Sequence, residues 1–515
     1  MHDTAKRTTL RWGDDPFLRE ERFSWGRAVA YIFLASLLLR LLIAVNYLQS
    51  FDTEWNMLWA VQMAQREKTQ SFGFLSAYTF VTELDYPPLY LYPLTLMGRL
   101  LLVPQIGGYP PFRMLVIKFL PCLADSLTGL VLYRLGARRF RLLGLFGLIA
   151  WSLNPATIVN CAFWGQTDCV MLFMAAALFL ALSEKRLFAS GLLFGLLCCT
   201  KLQGLYLTPV VGMEVLGLCF GSVNIRDFRL KQINRKGLWR FAAFAGTVVW
   251  TFAAVYLPFM LGGMLNAGDG FTTPSQRFWL PLSVYGSGLD KYPFITMNGD
   301  NVYMLAGLNY RQDSQSFLPG FSYALLGKFV LLAAMLTVAA VYLLCRRQSM
   351  WMAAYVFMNT VFMLTCRQHE RYQIMVVLLL IGVFMEQADK RFFTLFWMQG
   401  AVIFFNQFRI LSLAREGSGW WRYYDRSIGS RTTETLPQLG AIVKEQGVWW
   451  TEHMHAATML NSFCNLLLLL AGLVMAARFF CDERLSEPLT RRVREWVQIC
   501  KAAVQRKNGG VVSGE

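Results

Sequence analysis

Long apolar runs separated by short polar connections recur along the chain. Each run approaches the roughly 20 residues that a helix needs to cross a bilayer, where a helix satisfies its own backbone hydrogen bonds. The pattern predicts an all-α polytopic membrane protein with about 12 transmembrane helices, in a range of about 11 to 14. The predicted spans lie near residues 27–47, 114–135, 141–160, 167–183, 186–200, 203–220, 240–262, 321–345, 349–366, 372–388, 392–412 and 457–479.

Basic residues mark one side of this predicted topology. The positive-inside rule puts the basic side in the cytoplasm, so we expect a multi-pass protein of the inner cell membrane with both termini in the cytoplasm. The basic segments are GARRFR (136–141), EKR (184–186), residues 224–240, CRR (345–347), DKR (389–391) and the two tails.

The predicted organisation follows from the spans and the loops between them. Long segments between spans on the opposite, outer side are rich in aromatic residues, which is typical of helices lying at the headgroup level, with stacking on sugars or contact with lipid tails as the alternatives. The predicted regions are a cytoplasmic tail at 1–26, a catalytic transmembrane core at 27–390 with outer loops at 48–113 and 263–320, a C-terminal transmembrane region at 391–480 with an outer loop at 413–456, and a basic cytoplasmic tail at 481–515.

Composition excludes several classes of protein. Hydrophobic residues make up 55% of the chain and charged residues only 16%, which excludes an ordinary water-soluble domain. The formal net charge of +17 is explained by the topology and by attraction to anionic lipid. No soluble module is present to form a basic patch, so nucleic acid is excluded as a partner. The cysteines lack metal-ligand spacing, and no nucleotide-binding motif occurs at a strand-to-helix junction.

Polar side chains concentrate at the outer ends of the predicted spans. Taken singly, each has an ordinary explanation as a helix cap, a turn residue or an ion pair. Together they predict a reaction site that faces outward and opens sideways to lipid, whereas a transporter more typically places such groups near the membrane midplane. The residues are Asp52, Asp85 and Tyr86 in the first outer loop, Trp164, Gln166 and Asp168 in WGQTD, Lys201 and Gln203 in TKLQ, and Arg367, His369, Glu370 and Arg371 in CRQHER.

These residue types suit transfer of a sugar from a lipid phosphate. Arginine can donate two hydrogen bonds to the leaving phosphate, and His369 and Lys201 add further donors. The attacking hydroxyl needs a carboxylate base; Asp52 is the first candidate and Asp85 the second. No acid is needed, because the leaving group is already an anion.

An ordered set of motifs resembles a known family. LDYPPLYLY (84–92), WGQTD (164–168), TKLQ (200–203), NGDNVYMLAGL (298–308) and HERY (369–372) resemble the bacterial membrane glycosyltransferases related to the glycosylphosphatidylinositol mannosyltransferases. The resemblance covers roughly residues 27–390. LDYPPL and the His-Glu-basic motif are also similar to the glucosyltransferases that extend the lipid-linked N-glycan, which lack WGQTD.

The resemblance implies a GT-C architecture and a polyprenyl-phosphate or dolichyl-phosphate donor, with inversion at the anomeric carbon. The acceptor is expected to be a glycan, a lipid or a protein. Asp52 is implied as the general base. The predicted donor-phosphate ligands are His369, Arg371, Lys201 and Arg367. The predicted substrate pocket contains Glu370, Tyr86, Trp164, Gln166, Asp168, Gln203, Asn298 and Asn301.

The chain departs from the family pattern in three places. Leu202 follows Lys201 where relatives often have proline, which predicts a weaker helix break. Arg367 is an extra charge, suited to a carboxylate or phosphate on an unusual sugar. No DxD pair occurs in the outer loops, so no metal cofactor is required, although Asp52 and Asp168 suit a divalent ion if the fold brings them together.

Two alternatives to an enzyme remain open. A flippase of a lipid-linked glycan would use Arg40 and Asp125, which lie within predicted spans, although a buried ion pair or a snorkelling arginine also explains them. A non-catalytic partner in envelope-glycan assembly is the other alternative. An inactive relative would be expected to lose Asp52 or the HERY motif, and this chain keeps both.

Overall fold

The computed structural model describes residues 25–46, 51–81, 84–228, 232–265, 274–416 and 455–481. Both predicted tails and the outer loop predicted at 413–456 lie almost entirely outside the described residues. In chain order the helices are α1 (Trp25–Asn46), α2 (Phe51–Thr69), α3 (Ala77–Phe80), α4 (Leu91–Leu101), α5 (Pro104–Gly107), α6 (Pro110–Ala137), α7 (Arg141–Ser152), α8 (Pro155–Ile158), α9 (Asp168–Ser183), α10 (Leu187–Cys198), α11 (Thr208–Phe220), α12 (Arg235–Leu265), α13 (Pro274–Phe278), α14 (Leu280–Asp290), α15 (Val302–Leu305), α16 (Tyr323–Leu344), α17 (Met350–Leu364), α18 (Ile374–Gln387), α19 (Lys390–Glu416) and α20 (His455–Phe480).

The structure confirms a helical protein with several helices of membrane-spanning length. Every predicted span coincides with a helical segment. Among the described residues, six helices are long and apolar enough to cross a bilayer, and α7 with the helix after it makes a seventh if that bent pair is one span. Helices α9, α10, α17 and α18 are apolar but shorter. The number of about 12 crossings therefore stays a prediction.

The bend after α7 has a local cause. Asn154 follows the end of α7 and caps α8, because its side-chain oxygen accepts a hydrogen bond from Ala156 N at 3.0 Å. Pro155 then begins α8, since proline needs no hydrogen bond at the first helical position. The two arms meet at 51°, and the second arm ends in a π-helical turn at Val159–Phe163, just before Trp164.

The two ends of the helical bundle differ in chemistry. The basic connections contact one another at one end: Arg134 pairs with Glu184 at 2.8 Å, and Arg139 donates to the Glu386 carbonyl at 2.8 Å. Helix α9 runs from this end to Asp168, a length of about 24 Å. The polar motifs therefore lie at the opposite end from the basic connections, as the sequence predicts.

Aromatic residues of the predicted outer loops fall into two groups. Trp59 on α2 is buried, and its ring lies 5.3 Å from the ring of Tyr86. In contrast, Phe278, Trp279 and Leu282 around α13 and α14 are exposed. The headgroup-level expectation thus fits α13 and α14, whereas α2 is a packed helix that supports the polar end of the bundle.

Two short strand pairs were not predicted. Strand β1 (Thr296–Met297) pairs in parallel with β4 (Gln368–His369), and β2 (Ser316–Leu318) pairs antiparallel with β3 (Phe321–Ser322). The β1–β4 pair ties the segment before α15 to the HERY motif. Strands of two or three residues are too short to leave a periodic sequence pattern.

Candidate functional site

Asp52 lies in the first turn of α2, facing the WGQTD turn. Its Oδ2 accepts hydrogen bonds from Trp164 Nε1 at 2.8 Å and from Gln166 Nε2 at 2.7 Å. Its Oδ1 lies 3.4 Å from a terminal nitrogen of Arg371, and 19% of the Asp52 side chain is exposed. Two neutral donors and one cation therefore fix the carboxylate while leaving it accessible.

Two further side chains, Lys118 and Thr53, hold the WGQTD turn in place. Lys118 on α6, which is fully buried, donates to the carbonyls of Ala162 and Phe163 at 3.2 and 2.6 Å. Thr53 donates to the Trp164 carbonyl at 2.7 Å. Gly165 has a φ of +73°, and a Cβ there would lie 2.9 Å from the Lys118 side chain. Neither Lys118 nor Thr53 was predicted as a site residue. The signal available for Lys118 was a lysine inside an apolar run.

Arg371 is the central cation of the site. Besides Asp52, it contacts Glu370 Oε1 at 3.0 Å and lies 3.9 Å from Asp168 Oδ2. Its guanidinium also lies 5.6 Å from the centre of the Trp164 ring. The Nε of Arg371 is buried and, within the described residues, makes no hydrogen bond. Three carboxylates converge on this guanidinium, and it retains donor capacity.

Lys201 is the second cation. Its Nζ contacts Asp168 Oδ1 at 2.7 Å, and both side chains are buried. The nitrogen also lies 5.8 Å from the ring centre of Tyr86 and 5.7 Å from that of Tyr372. Lys201 has an extended backbone between α10 and the short helix Leu202–Leu207. The helix therefore breaks at Lys201, with leucine rather than proline at position 202.

His369 belongs to β4 and lies between two tyrosine rings. The ring centroids of Tyr292 and Tyr372 are 5.1 and 4.8 Å from that of His369. Burial, together with the charges of Arg371 and Lys201, lowers the pKa of His369 well below its ordinary value. The imidazole is therefore neutral near pH 7. Its Nε2 is buried without a hydrogen-bond partner in the described part of the chain.

Glu370 is buried beside Arg371. Burial raises the pKa of Glu370, and the charge of Arg371 opposes that increase. Its two oxygens lie near Arg371 and, at 3.9 Å, near His369 Nδ1. This placement fits the prediction that Glu370 orients and partly neutralises its neighbours.

Asp85, the second candidate for the base, has a different partner. Its Oδ2 contacts Lys291 Nζ at 3.1 Å, and both side chains are partly exposed. Tyr86 next to it is packed against Trp59. A lysine already neutralises Asp85, so the geometry favours Asp52 as the base.

Three other predicted residues have structural partners. Arg367 Nε donates to Asp313 at 2.6 Å and its terminal nitrogen to the Leu289 carbonyl at 2.6 Å, so these donors serve the loop rather than a phosphate. Asn301 caps α15, accepting from the backbone of residues 303 and 304. Asn298 Nδ2 donates to the Tyr310 hydroxyl at 2.9 Å. In this structure Arg367 and Asn301 thus stabilise a loop and a helix, and their predicted roles in substrate binding stay predictions.

Gln203 remains a candidate pocket residue. It lies on the short helix after Lys201 and is buried. Its Oε1 has no hydrogen-bond partner among the residues that the structure describes. An unsatisfied buried amide oxygen is an available acceptor for a hydroxyl group.

The fold does bring Asp52 and Asp168 together, as the metal alternative requires. Both contact Arg371, so a guanidinium lies between the two carboxylates. A different buried group, Asp125 with Cys161 and Cys169, places its ligand atoms within 4.8 Å of one another. Asp125 is bonded to Arg40, whose charge opposes a cation there.

An apolar cavity of about 490 Å³ lies next to the part of the site that contains Lys201 and Tyr86. Its lining comes from α4, α6, α9, α10 and α12 and is almost entirely apolar. Two lining residues adjoin the site: Thr200 precedes Lys201, and the Tyr90 ring is 6.3 Å from that of Tyr86. The polar cluster and the apolar cavity therefore form neighbouring compartments.

No family model matches this chain, and neither does any curated protein. Function is therefore inferred from the geometry of the site and from the motifs that form it.

Proposed function

We propose that this protein is an inverting GT-C glycosyltransferase of the inner membrane. It moves a hexose from a polyprenyl-phosphate donor to a glycan, lipid or protein acceptor on the outer face, with about 12 crossings and both termini in the cytoplasm. The observation that carries the proposal is one carboxylate, Asp52, fixed by Trp164 and Gln166 and facing Arg371.

Asp52 acts as the general base in this proposal. Its Oδ2 is occupied by the two neutral donors, whereas Oδ1 has only the longer 3.4 Å contact with Arg371. A hydroxyl of the acceptor that displaces this contact can donate to Oδ1 and lose its proton during attack on the anomeric carbon. The proton passes to Asp52, and the glycosidic electron pair leaves with the phosphate.

Arg371, Lys201 and neutral His369 form the donor-phosphate site. The unused Nε of Arg371 and the rigid fork of the guanidinium suit a phosphate oxygen. Glu370 contacts Arg371 at 3.0 Å, which orients the guanidinium towards the proposed phosphate position. These donors stabilise the charge that develops on the leaving group.

The apolar cavity suits the first part of the polyprenyl chain. Tyr90 and Thr200 in its wall lie beside Tyr86 and Lys201. The rest of the wall consists of side chains without charge. A lipid phosphate needs such a boundary between a cationic site and an apolar compartment. This arrangement supports a lipid-linked donor over a water-soluble nucleotide sugar.

The test is transfer by the purified protein in detergent. Short-chain polyprenyl-phosphate-linked mannose, glucose and galactose are offered, with water or a membrane lipid extract as acceptor. We expect sugar release or transfer by the wild type and a loss of about 10²-fold or more in Asp52→Asn, with donor binding retained. Asp85→Asn is the matched control and is expected to stay active.

Two outcomes would contradict the proposal. Full activity of Asp52→Asn would remove Asp52 as the base. Tight binding of all three donors without turnover, in the presence of the lipid extract, would favour transport or a non-catalytic role.

A further inference from the structure

The C-terminal helices, which carry none of the motifs, contact the site through a buried polar network. Arg409 on α19 contacts Asp300 Oδ1 at 2.8 Å, and 2% and 0% of these two side chains are exposed. Asn461 Nδ2 on α20 donates to the other Asp300 oxygen at 2.5 Å. A buried ion pair is stable only with close geometry and further hydrogen bonds, so this pair fixes the segment that carries Asp300 against α19 and α20.

Asp300 directly follows the segment that pairs with the HERY motif. Met297 is opposite His369 in the β1–β4 pair, and Asn298 forms a further bridge to His369. Arg409 also donates to the Asn298 carbonyl at 3.4 Å. The position of His369 is therefore linked through two or three residues to the Arg409–Asp300 pair.

Asn465 on α20 holds both sides of this strand pair. Its Nδ2 donates to the Asp300 carbonyl at 2.7 Å and to Gln373 Oε1 at 2.9 Å. Gln373 Nε2 in turn donates to Asn465 Oδ1 at 2.8 Å. Gln373 lies two residues after Arg371. The network thus contacts the segment that pairs with His369 and the chain just after Arg371.

We propose that Arg409, Asp300 and Asn465 are positioning residues that fix residues 369–371 for donor binding. The proposal rests on the proposed function for its kinetic consequence, but not for its structural one. Without the network, the β1–β4 pair and Gln373 lose their attachment to α19 and α20. The two-residue strands have too few hydrogen bonds to hold Arg371 in place alone.

The first experiment needs no substrate. Hydrogen–deuterium exchange of the peptide covering residues 366–373 is measured in detergent for the wild type, Arg409→Met, Arg409→Lys and Asn465→Ala. We expect at least tenfold faster exchange in Arg409→Met and Asn465→Ala, and partial recovery of protection in Arg409→Lys, which keeps the charge. Arg40→Met is the matched control, because it breaks another buried arginine–aspartate pair that does not contact this segment.

The second experiment separates positioning from loss of folded protein. With polyprenyl-phosphate mannose and water as acceptor, we expect kcat/KM to fall about 10²-fold in the two network variants, chiefly through a higher donor KM. Loss of folded protein alone would lower kcat and leave KM unchanged.

Wild-type exchange of residues 366–373 in folded Arg409→Met or Asn465→Ala would overturn the positioning role. Asn465→Ala keeps the test available if Arg409→Met does not fold. A wild type that transfers no sugar, combined with faster exchange in the variants, would contradict the proposed function and leave the positioning role supported.

Discussion

Two buried arginines of this protein are bound in opposite ways. Arg40 on α1 has all three guanidinium nitrogens bonded, with Nε and a terminal nitrogen at 2.6 Å from Asp125 Oδ2 and the other terminal nitrogen bonded to Ser36 and Ser152. Arg371 lies among three carboxylates at 3.0 to 3.9 Å and keeps an unbonded Nε. The guanidinium of Arg40 is saturated, whereas that of Arg371 has one unused donor.

This difference separates an arginine that stabilises the fold from an arginine that can bind a ligand. A saturated buried pair holds helices together, and breaking it leaves an uncompensated charge. A cation with spare donors and weak contacts can exchange a carboxylate for a phosphate at little cost. Asp125 itself is not saturated, because its Oδ1 has no hydrogen-bond partner among the described residues. The transport alternative, which needed Arg40 and Asp125 for function, therefore stays an alternative.

Removing Arg371 is expected to have the largest effect on activity. Arg371→Met should lower transfer by about 10²- to 10³-fold, because the leaving phosphate loses its main donor. Transfer of sugar from the polyprenyl-phosphate donor measures this, with thermal unfolding in detergent alongside. A loss of activity no greater than that of Arg40→Met, compared per folded protein, would make the two arginines equivalent and contradict the distinction.

Removing Arg40 is expected to affect stability instead. Arg40→Met should destabilise the protein by about 3–5 kcal/mol, because Asp125 is left charged and unpaired. The double variant Arg40→Met with Asp125→Leu should recover much of this loss, since an apolar pair replaces an ion pair at little cost. Thermal unfolding measures both variants, and failure of the double variant to recover would show that the pair does more than join helices.

Two tryptophans that hydrogen-bond Asp52 and Asp125 allow the same comparison, with a smaller expected effect on transfer. Trp164 Nε1 donates to the Asp52 carboxylate at 2.8 Å, and Trp151 Nε1 donates to the Asp125 carbonyl at 2.9 Å. Trp164→Phe should lower transfer about tenfold, since a hydrogen bond to a charged group contributes about 1.5–3 kcal/mol. Trp151→Phe should leave transfer per folded protein unchanged. Equal activities of the two variants would indicate that Trp164 does not orient the base.

The smallest expected effect is a pH dependence of stability from His369. Burial, with the charges of Arg371 and Lys201, lowers the pKa of His369 in the folded protein. As pH falls below about 6.5, the unfolded chain binds a proton at this imidazole and the folded protein does not. The stability contributed by neutral His369 is therefore present above that pH and is lost as pH falls towards the folded-state pKa.

His369→Gln should therefore show a shallower decline of unfolding temperature between pH 7.5 and pH 5 than the wild type. Tyr292→Phe is the control, because it keeps the histidine and its ring neighbour and removes no group that titrates between pH 5 and pH 7.5. Identical pH profiles for the wild type and His369→Gln would contradict the lowered pKa of His369.

The helical segments were predictable because an apolar run of about the right length indicates a buried or membrane-spanning helix from that segment alone. Tertiary packing still changed how these helices are interpreted. Helices α9 and α10 have only 16 and 12 residues, and α19 has 27 but contains Gln399 and Arg409, which bond to other elements. A hydropathy pattern does not distinguish a short crossing helix from a buried one.

The site was predictable in part for a related reason. Asp52, Trp164, Lys201 and His369 each lie at the same end of an apolar segment, so the order of helices alone brings them to one end of the bundle. Which of them touch depends on side-chain direction and on contacts over large sequence distances. Arg367 was thus predicted as a phosphate ligand, whereas in the structure its Nε bonds Asp313. Lys118, which holds the WGQTD turn, was not predicted as a site residue.

A helical membrane protein with its polar motifs at one end and its basic connections at the other follows from the sequence alone. The saturation of Arg40, the unused donor of Arg371 and the contact of Arg409, beyond the last motif, with Asp300 follow only from the packing of the helices. Hydropathy and motif spacing depend on one segment of chain at a time. Charge pairing between residues 40 and 125, or 300 and 409, depends on how separate helices pack.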